Sequence, residues 1–142
     1  MSDKPLGTAD YPLAEKRAEL VRGKRGKGLD EITLPAVIEG TVTLDDLGIT
    51  TGALMQQAQI ARAAGRPTLA QNFERSAELV GVPQEAIMRV YELLRPGRAQ
   101  SKAELMAAAQ DLRVTYGAEK MPAFIEEAAD VYEKRGLFKA RY

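Results

Sequence analysis

Two stretches of this chain carry residue types whose spacing could do chemistry. The first is Arg22-Gly23-Lys24-Arg25-Gly26-Lys27-Gly28, where glycine N–H groups and lysines could cradle a phosphate. A nucleotide-binding loop would continue with Lys and then Ser or Thr, but Leu29 and Asp30 follow. Binding of RNA or DNA would add interleaved aromatics or a wider basic face, and the segment has neither. The expectation is a solvated or partner-facing loop, with a helical nucleic-acid-binding or adaptor module built on this basic arm as the remote alternative. The second stretch holds Glu126 and Asp130, i,i+4 on one helical face, with Glu127 and Glu133 nearby. Such carboxylates could hold a hard cation or move a proton in a free-standing helical enzyme. Lys134, four residues after Asp130, predicts a solvated surface pair instead, and Glu85 and Arg89 read the same way. Ser76 has no base in reach by sequence logic, so it is not expected to act as a nucleophile.

The absent residue types narrow the chemistry further. The 142 residues include no His, Cys or Trp. Imidazole bases, Ser-His-Asp triads, thiolate nucleophiles, zinc thiolate sites and iron–sulfur clusters are all excluded. Lys+Arg and Asp+Glu both total 20, so no net field draws the chain to nucleic acid or anionic lipid. No apolar run reaches the ~20 residues of a membrane span, and MSDKPLGTAD lacks the apolar core of a signal peptide. A cytoplasmic chain with no catalytic, cofactor-binding or metal-binding residue of its own is expected, working through another protein.

The elements that would position such a role read as all-α. Residues 1–30 are expected to form an extended, irregular arm, with Pro5, Pro12 and the Gly-rich basic run, and one short helix over about Leu13–Val21. Residues 31–142 form the helical remainder of a single domain. Thr33 caps a turn with Pro35 near its start, and Thr43 with Asp45 and Asp46 starts another. Five main helices follow. Thr51–Ala64 carries Leu54, Ala58 and Ala61 inward and stops at Gly65. Pro67 opens the next, with Ala70, Phe73, Ala77 and Val80 inward, stopped by Gly81. Pro83 opens the third, with Ile87, Val90, Tyr91 and Leu94 inward, ended by Pro96-Gly97. Ser101 and Glu104 form a capping box for the fourth, which buries Leu105, Ala109, Leu112 and Tyr116. The fifth runs from about Glu119 to Arg135, with Phe124, Ala128, Val131 and Tyr132 inward. Short joints make neighbouring hairpins of these helices, and abundant inward Ala brings them close. Beyond the last stop, Leu137, Phe138 and Tyr142 follow no helical period. With Tyr11, Pro12 and Leu13 in the arm they make apolar anchors near both ends of the chain, which either fold back on the bundle or dock on a partner.

The order and wording of several segments resemble the small subunit of the adenosylcobalamin-dependent diol and glycerol dehydratases. The resemblance is carried by Asp10-Tyr11-Pro12-Leu13-Ala14, by Leu29-Asp30-Glu31-Ile32-Thr33-Leu34 and by Leu54-Met55-Gln56-Gln57-Ala58-Gln59-Ile60-Ala61. The densest piece is Leu69-Ala70-Gln71-Asn72-Phe73-Glu74-Arg75-Ser76-Ala77-Glu78-Leu79, and Ala123-Phe124-Ile125-Glu126-Glu127-Ala128-Ala129 closes the series. The resemblance implies an all-helical subunit in a heterohexamer with two copies each of large, medium and small chains. Adenosylcobalamin would lie between the large and medium subunits, and a potassium or calcium ion in the large one. The implied lyase reaction converts propane-1,2-diol to propionaldehyde and water, or glycerol to 3-hydroxypropionaldehyde, and the small subunit supplies no catalytic residue. Family members housed in bacterial microcompartments often carry a longer N-terminal extension. Here Met1–Ala9 precede Asp10 without an apolar face, so encapsulation through this chain is not expected.

Overall fold

A computed structural model describes residues 4–138 of the chain. The described residues form helices and turns without a strand, apart from one isolated antiparallel bridge between Arg22 and Gly28. They fall into two compact units that meet in the sequence between Val80 and Gly81.

In the first unit the arm is built of short turns: a 3-10 turn at Thr8–Asp10, α1 at Leu13–Lys16, and further 3-10 turns at Ala18–Leu20 and Leu29–Glu31. The helix expected over Leu13–Val21 breaks at Arg17, whose backbone leaves the helical region. The Arg17 guanidinium lies 3.0 Å from Asp10 and 2.6 Å from Glu19. Past the break, Leu20 and Val21 pack with Leu6, Leu13 and Ile60 in one apolar cluster. The arm is tied down as well as packed, because the Leu6 N–H donates to Gln59 Oε1 at 3.0 Å and Gln56 Nε2 to the Leu20 carbonyl at 3.4 Å.

Helices α2 (Leu34–Ile38) and α3 (Leu44–Leu47) are single turns with the expected caps. The Thr33 hydroxyl accepts the Ala36 N–H, and the Asp46 carboxylate accepts the Thr43 N–H at 2.9 Å. Then α4 (Thr51–Ala63) and α5 (Pro67–Leu79) form a helical hairpin. Gly65 turns the chain with φ +70°, and Pro67 needs no N–H partner at the first helical position. Buried Ala58, Ala61 and Ala70 let the two helices approach closely, flanked by Leu69 and Phe73. Thr51 Oγ1 donates to the Ala77 carbonyl at 3.3 Å, joining the start of α4 to the end of α5.

The second unit comprises α6 (Gln84–Leu94), α7 (Lys102–Tyr116) and α8 (Lys120–Lys134). Leu105, Ala109, Leu112, Ile125 and Ala129 are sealed from solvent, with Ala86 and Val90 of α6 also buried. Gly117 closes α7 in the left-handed conformation, φ +68°. The cap at Ser101 differs from the expected box. Its hydroxyl accepts the Glu104 N–H, but the Glu104 carboxylate reaches back to the N–H of Gln100 at 3.1 Å.

The inward face of α8 is also corrected. Phe124 and Val131 are 39% and 36% exposed, and the buried positions are Pro122, Ile125 and Ala129. Tyr91 of α6 is likewise exposed, with Ala86 buried alongside Val90. Helix α8 carries two apolar stripes, and a period of 3.6 cannot rank them. Packing against α7, whose buried positions are Leu105, Ala109 and Leu112, selects the stripe of Pro122, Ile125 and Ala129. In urea unfolding, Leu105→Ala or Ile125→Ala is expected to cost about 2–5 kcal/mol, whereas Val131→Ala is expected to cost less than about 1 kcal/mol.

Candidate subunit interface

The site begins with one buried carboxylate. Asp46, in the last turn before α4, has its side chain shut off from solvent. Arg25 reaches it from the basic loop with a two-pronged contact, Nε to Oδ1 at 2.9 Å and Nη2 to Oδ2. The same Nη2 donates to the Thr41 carbonyl at 3.0 Å, so the guanidinium also straps the turn between α2 and α3. The Arg25 guanidinium, followed by the Thr43 N–H, pulls the Asp46 carboxyl from the usual 3.8 down to about 2. Glycine is required where the basic loop meets the backbone of Asp46. A Cβ at Gly23 would stand 2.7 Å from the Asp46 carbonyl oxygen, and backbone cannot yield that distance.

Clasped in this way, residues 29–49 present an apolar surface. Leu29, Leu34, Val37, Ile38, Leu44, Leu47 and Ile49 are 44 to 85% exposed. A hollow of about 180 Å³ opens within this region, walled by Val21, Leu29, Ile32, Leu47, Ile49 and Ala53, with Arg22 and Lys27 also at its boundary. A larger cleft of about 540 Å³ lies along the arm and α4. Of the two cations that line it, Lys4 and Arg17, the second is bound to Asp10 and Glu19, and Asp10 is held below its ordinary pKa by the Gly7 N–H and then by Arg17.

The anchors expected near the chain ends are placed differently from one another. Tyr11 is 59% exposed, Pro12 is half-buried, and Leu13 is buried in the chain's own cluster with Leu6 and Ile60. Leu137 and Phe138 are half-buried against α8: the Leu137 N–H donates to the Tyr132 carbonyl at 2.9 Å, and the Phe138 ring lies 6.2 Å from that of Tyr132. The Tyr132 hydroxyl in turn donates to the Leu94 carbonyl, tying α8 to the end of α6. Tyr142 lies outside the described residues.

Three of the four carboxylates of α8, Glu126, Asp130 and Glu133, are engaged in ion pairs. Lys102 Nζ sits 2.8 Å from both Asp130 and Glu133, and Arg113 lies 2.9 Å from Glu126. The Asp130 and Glu133 carboxylates raise the Lys102 pKa, and Lys102 lowers that of Asp130. Ser76 donates its hydroxyl to the Asn72 carbonyl of its own helix. Among the described residues no three carboxylates gather as a metal ion would require.

Sequence reasoning gave Asp46 only a capping role and did not single out the apolar side chains of α2 and α3. A signal was present. Residues 31–60 contain no Lys or Arg. The link from Arg25 to Asp46 spans 21 residues and had no local signature.

Comparison with known proteins agrees with a chain built around partners. The dehydratase small-subunit family model matches residues 6–139. The propanediol dehydratase small subunit of Citrobacter freundii is 48% identical over 130 residues, 92% of this chain and 75% of that protein. That of Salmonella typhimurium strain LT2 is 47% identical over 131 residues, with the same coverage.

The clasp has a defined acid dependence. Because the folded pKa of Asp46 lies below its unfolded value, its stabilisation is fully present above about pH 4 and is lost as pH falls through about 2. Asp46→Asn is expected to lower the urea midpoint at pH 7 and to flatten the loss of stability between pH 4 and 2. Urea titrations of both chains across that range check it.

Proposed function

We infer the role of this chain from its family: it belongs to the dehydratase small subunits, and the relatives described above are propanediol dehydratase small subunits. It is a non-catalytic subunit of a lyase complex that converts propane-1,2-diol to propionaldehyde and water. Its work is to brace a larger catalytic subunit, so its loss costs assembly and stability before chemistry. The observation in the molecule that carries this reading is the exposed apolar surface of residues 29–49, held in shape by the Arg25–Asp46 clasp. The names of the relatives favour propane-1,2-diol over glycerol.

The complex is a cytoplasmic heterohexamer with two copies each of large, medium and small subunits. Adenosylcobalamin supplies the radical chemistry and is bound by the large and medium subunits. A potassium or calcium ion is bound by the large subunit. The reading assigns neither group to this chain, in which no three carboxylates gather among the described residues. No helix among the described residues is long and apolar enough to cross a membrane. The basic loop gives little support to a nucleic-acid reading, because Arg25 is bound to Asp46 and Arg22 lies 3.9 Å from Glu31.

Co-expression of the tagged chain with the large and medium subunits is expected to yield one complex with cobalamin-dependent aldehyde formation. Leaving this chain out is expected to lower the melting temperature and the recovery of the other two together with the activity. A pair of larger subunits that is fully active and equally stable without this chain would overturn the reading, as would a tagged chain that purifies alone.

A further inference from the structure

We propose, independently of the subunit reading, that residues 22–49 form a strap that opens from the start of α4 as one unit while the α4–α5 hairpin stays folded, with Arg25 and Asp46 as its latch. The segment is bonded almost wholly to itself. The N–H of Gly23 donates to the Lys27 carbonyl at 2.9 Å, that of Thr41 to Ala36 at 2.9 Å and that of Gly48 to Leu44 at 3.1 Å. Its ion pairs, Arg22 with Glu31 and Arg25 with Asp46, are internal as well. Among the described residues, one hydrogen bond leaves it, from Arg22 Nε to the Glu19 carbonyl at 3.3 Å, at the segment's first residue.

Packing holds it lightly. Gly28, Val42 and Asp46 are the segment's buried residues, and Leu34, Ile38 and Leu44 are 71 to 85% exposed. Val21 and Thr50, which flank the segment in sequence, line the hollow of about 180 Å³ together with Gly23, Leu47 and Ile49. The two ends of the strap therefore lie together, as in a surface loop packed by its own side chains, and the seam beneath it is incompletely filled. The hairpin is built otherwise, through buried Ala58, Ala61 and Ala70 and the bond from Thr51 to Ala77. A region with few buried apolar groups opens at a lower free energy than the core it lies on. What opposes opening is the latch. Arg25 joins the basic loop both to buried Asp46 and to the Thr41 carbonyl, and a buried carboxylate that loses its partner is costly. The exposed apolar side chains of residues 29–49 ride on the strap, so its opening displaces that surface without unfolding the helices beneath it.

Hydrogen exchange of the full chain, read residue by residue by NMR in urea below the unfolding transition, tests this. In the wild type the N–H groups of Gly23, Val42, Thr43 and Asp46 are expected to share one protection, at least about tenfold below that of Ala58, Ala61 and Ala77, with a shallower urea dependence. Asp46→Asn is expected to speed exchange throughout the strap by about ten- to a hundred-fold. Gly23→Ala should do the same with both charges in place, because its Cβ would meet the Asp46 carbonyl oxygen at 2.7 Å. Phe73→Leu, which loosens the packing of the hairpin, should speed the Ala58 and Ala61 N–H groups about fivefold and leave the strap unchanged. A strap that speeds up as much as the hairpin in Phe73→Leu would be part of one cooperative unit, and unrelated rates within the strap would be fraying; either overturns the proposal. Strap exchange unchanged in Asp46→Asn would overturn the latch. The co-expression described above tests the subunit reading by itself.

Discussion

The first unit depends on one carboxylate that cannot be left alone. Asp46 is shut away from water, and a buried charge without a partner is strongly destabilising. Arg25 answers it with a forked contact and, through the same guanidinium, holds the Thr41 carbonyl. One residue of the basic loop therefore fixes α3, the turn before it and the loop itself in a single arrangement. Without that arrangement, single-turn helices of four and five residues would have almost nothing to hold them, since isolated helices of that length do not persist in water. The glycine at position 23 is the geometric counterpart of the clasp, because only a residue without a Cβ lets the loop lie on the Asp46 backbone.

The long helices rely on a different device. Ala58, Ala61 and Ala70 in the first unit, and Ala109 and Ala129 in the second, are buried almost completely. Small residues allow close helix approach, so dispersion contacts between backbones replace the larger side chains a small chain cannot surround. The bulky apolar groups left over face outward: Leu34, Ile38 and Leu44 in the first unit, Tyr91 and Val114 in the second. Larger groups fill the centre as well, with Leu105, Leu112 and Ile125 fully buried in the second unit.

The electrostatics follow the same logic. The charges are balanced overall, and many of the described ones are engaged in local pairs such as Lys102 with Asp130 and Glu133, or Arg113 with Glu126. Pairs this exposed contribute little to stability and are screened by salt. They keep the outer helix faces wetted.

Helix content, the capping threonines, the glycine stops and the absence of imidazole and thiol chemistry were all legible from residue order, because each depends on neighbours within a few positions. The family resemblance was equally legible, since it lies in the order of short segments. The inward face of α8 was not. Phe124 with Val131 and Ile125 with Ala129 have the same period, and only packing against α7 chose between them. The partner of Arg25 was not legible either, because a contact across 21 residues leaves no local trace. The same holds for the surface of residues 29–49. A leucine that docks on another chain and a leucine that fills a core are written alike, and what separates them is whether this chain's own fold has anything to cover it.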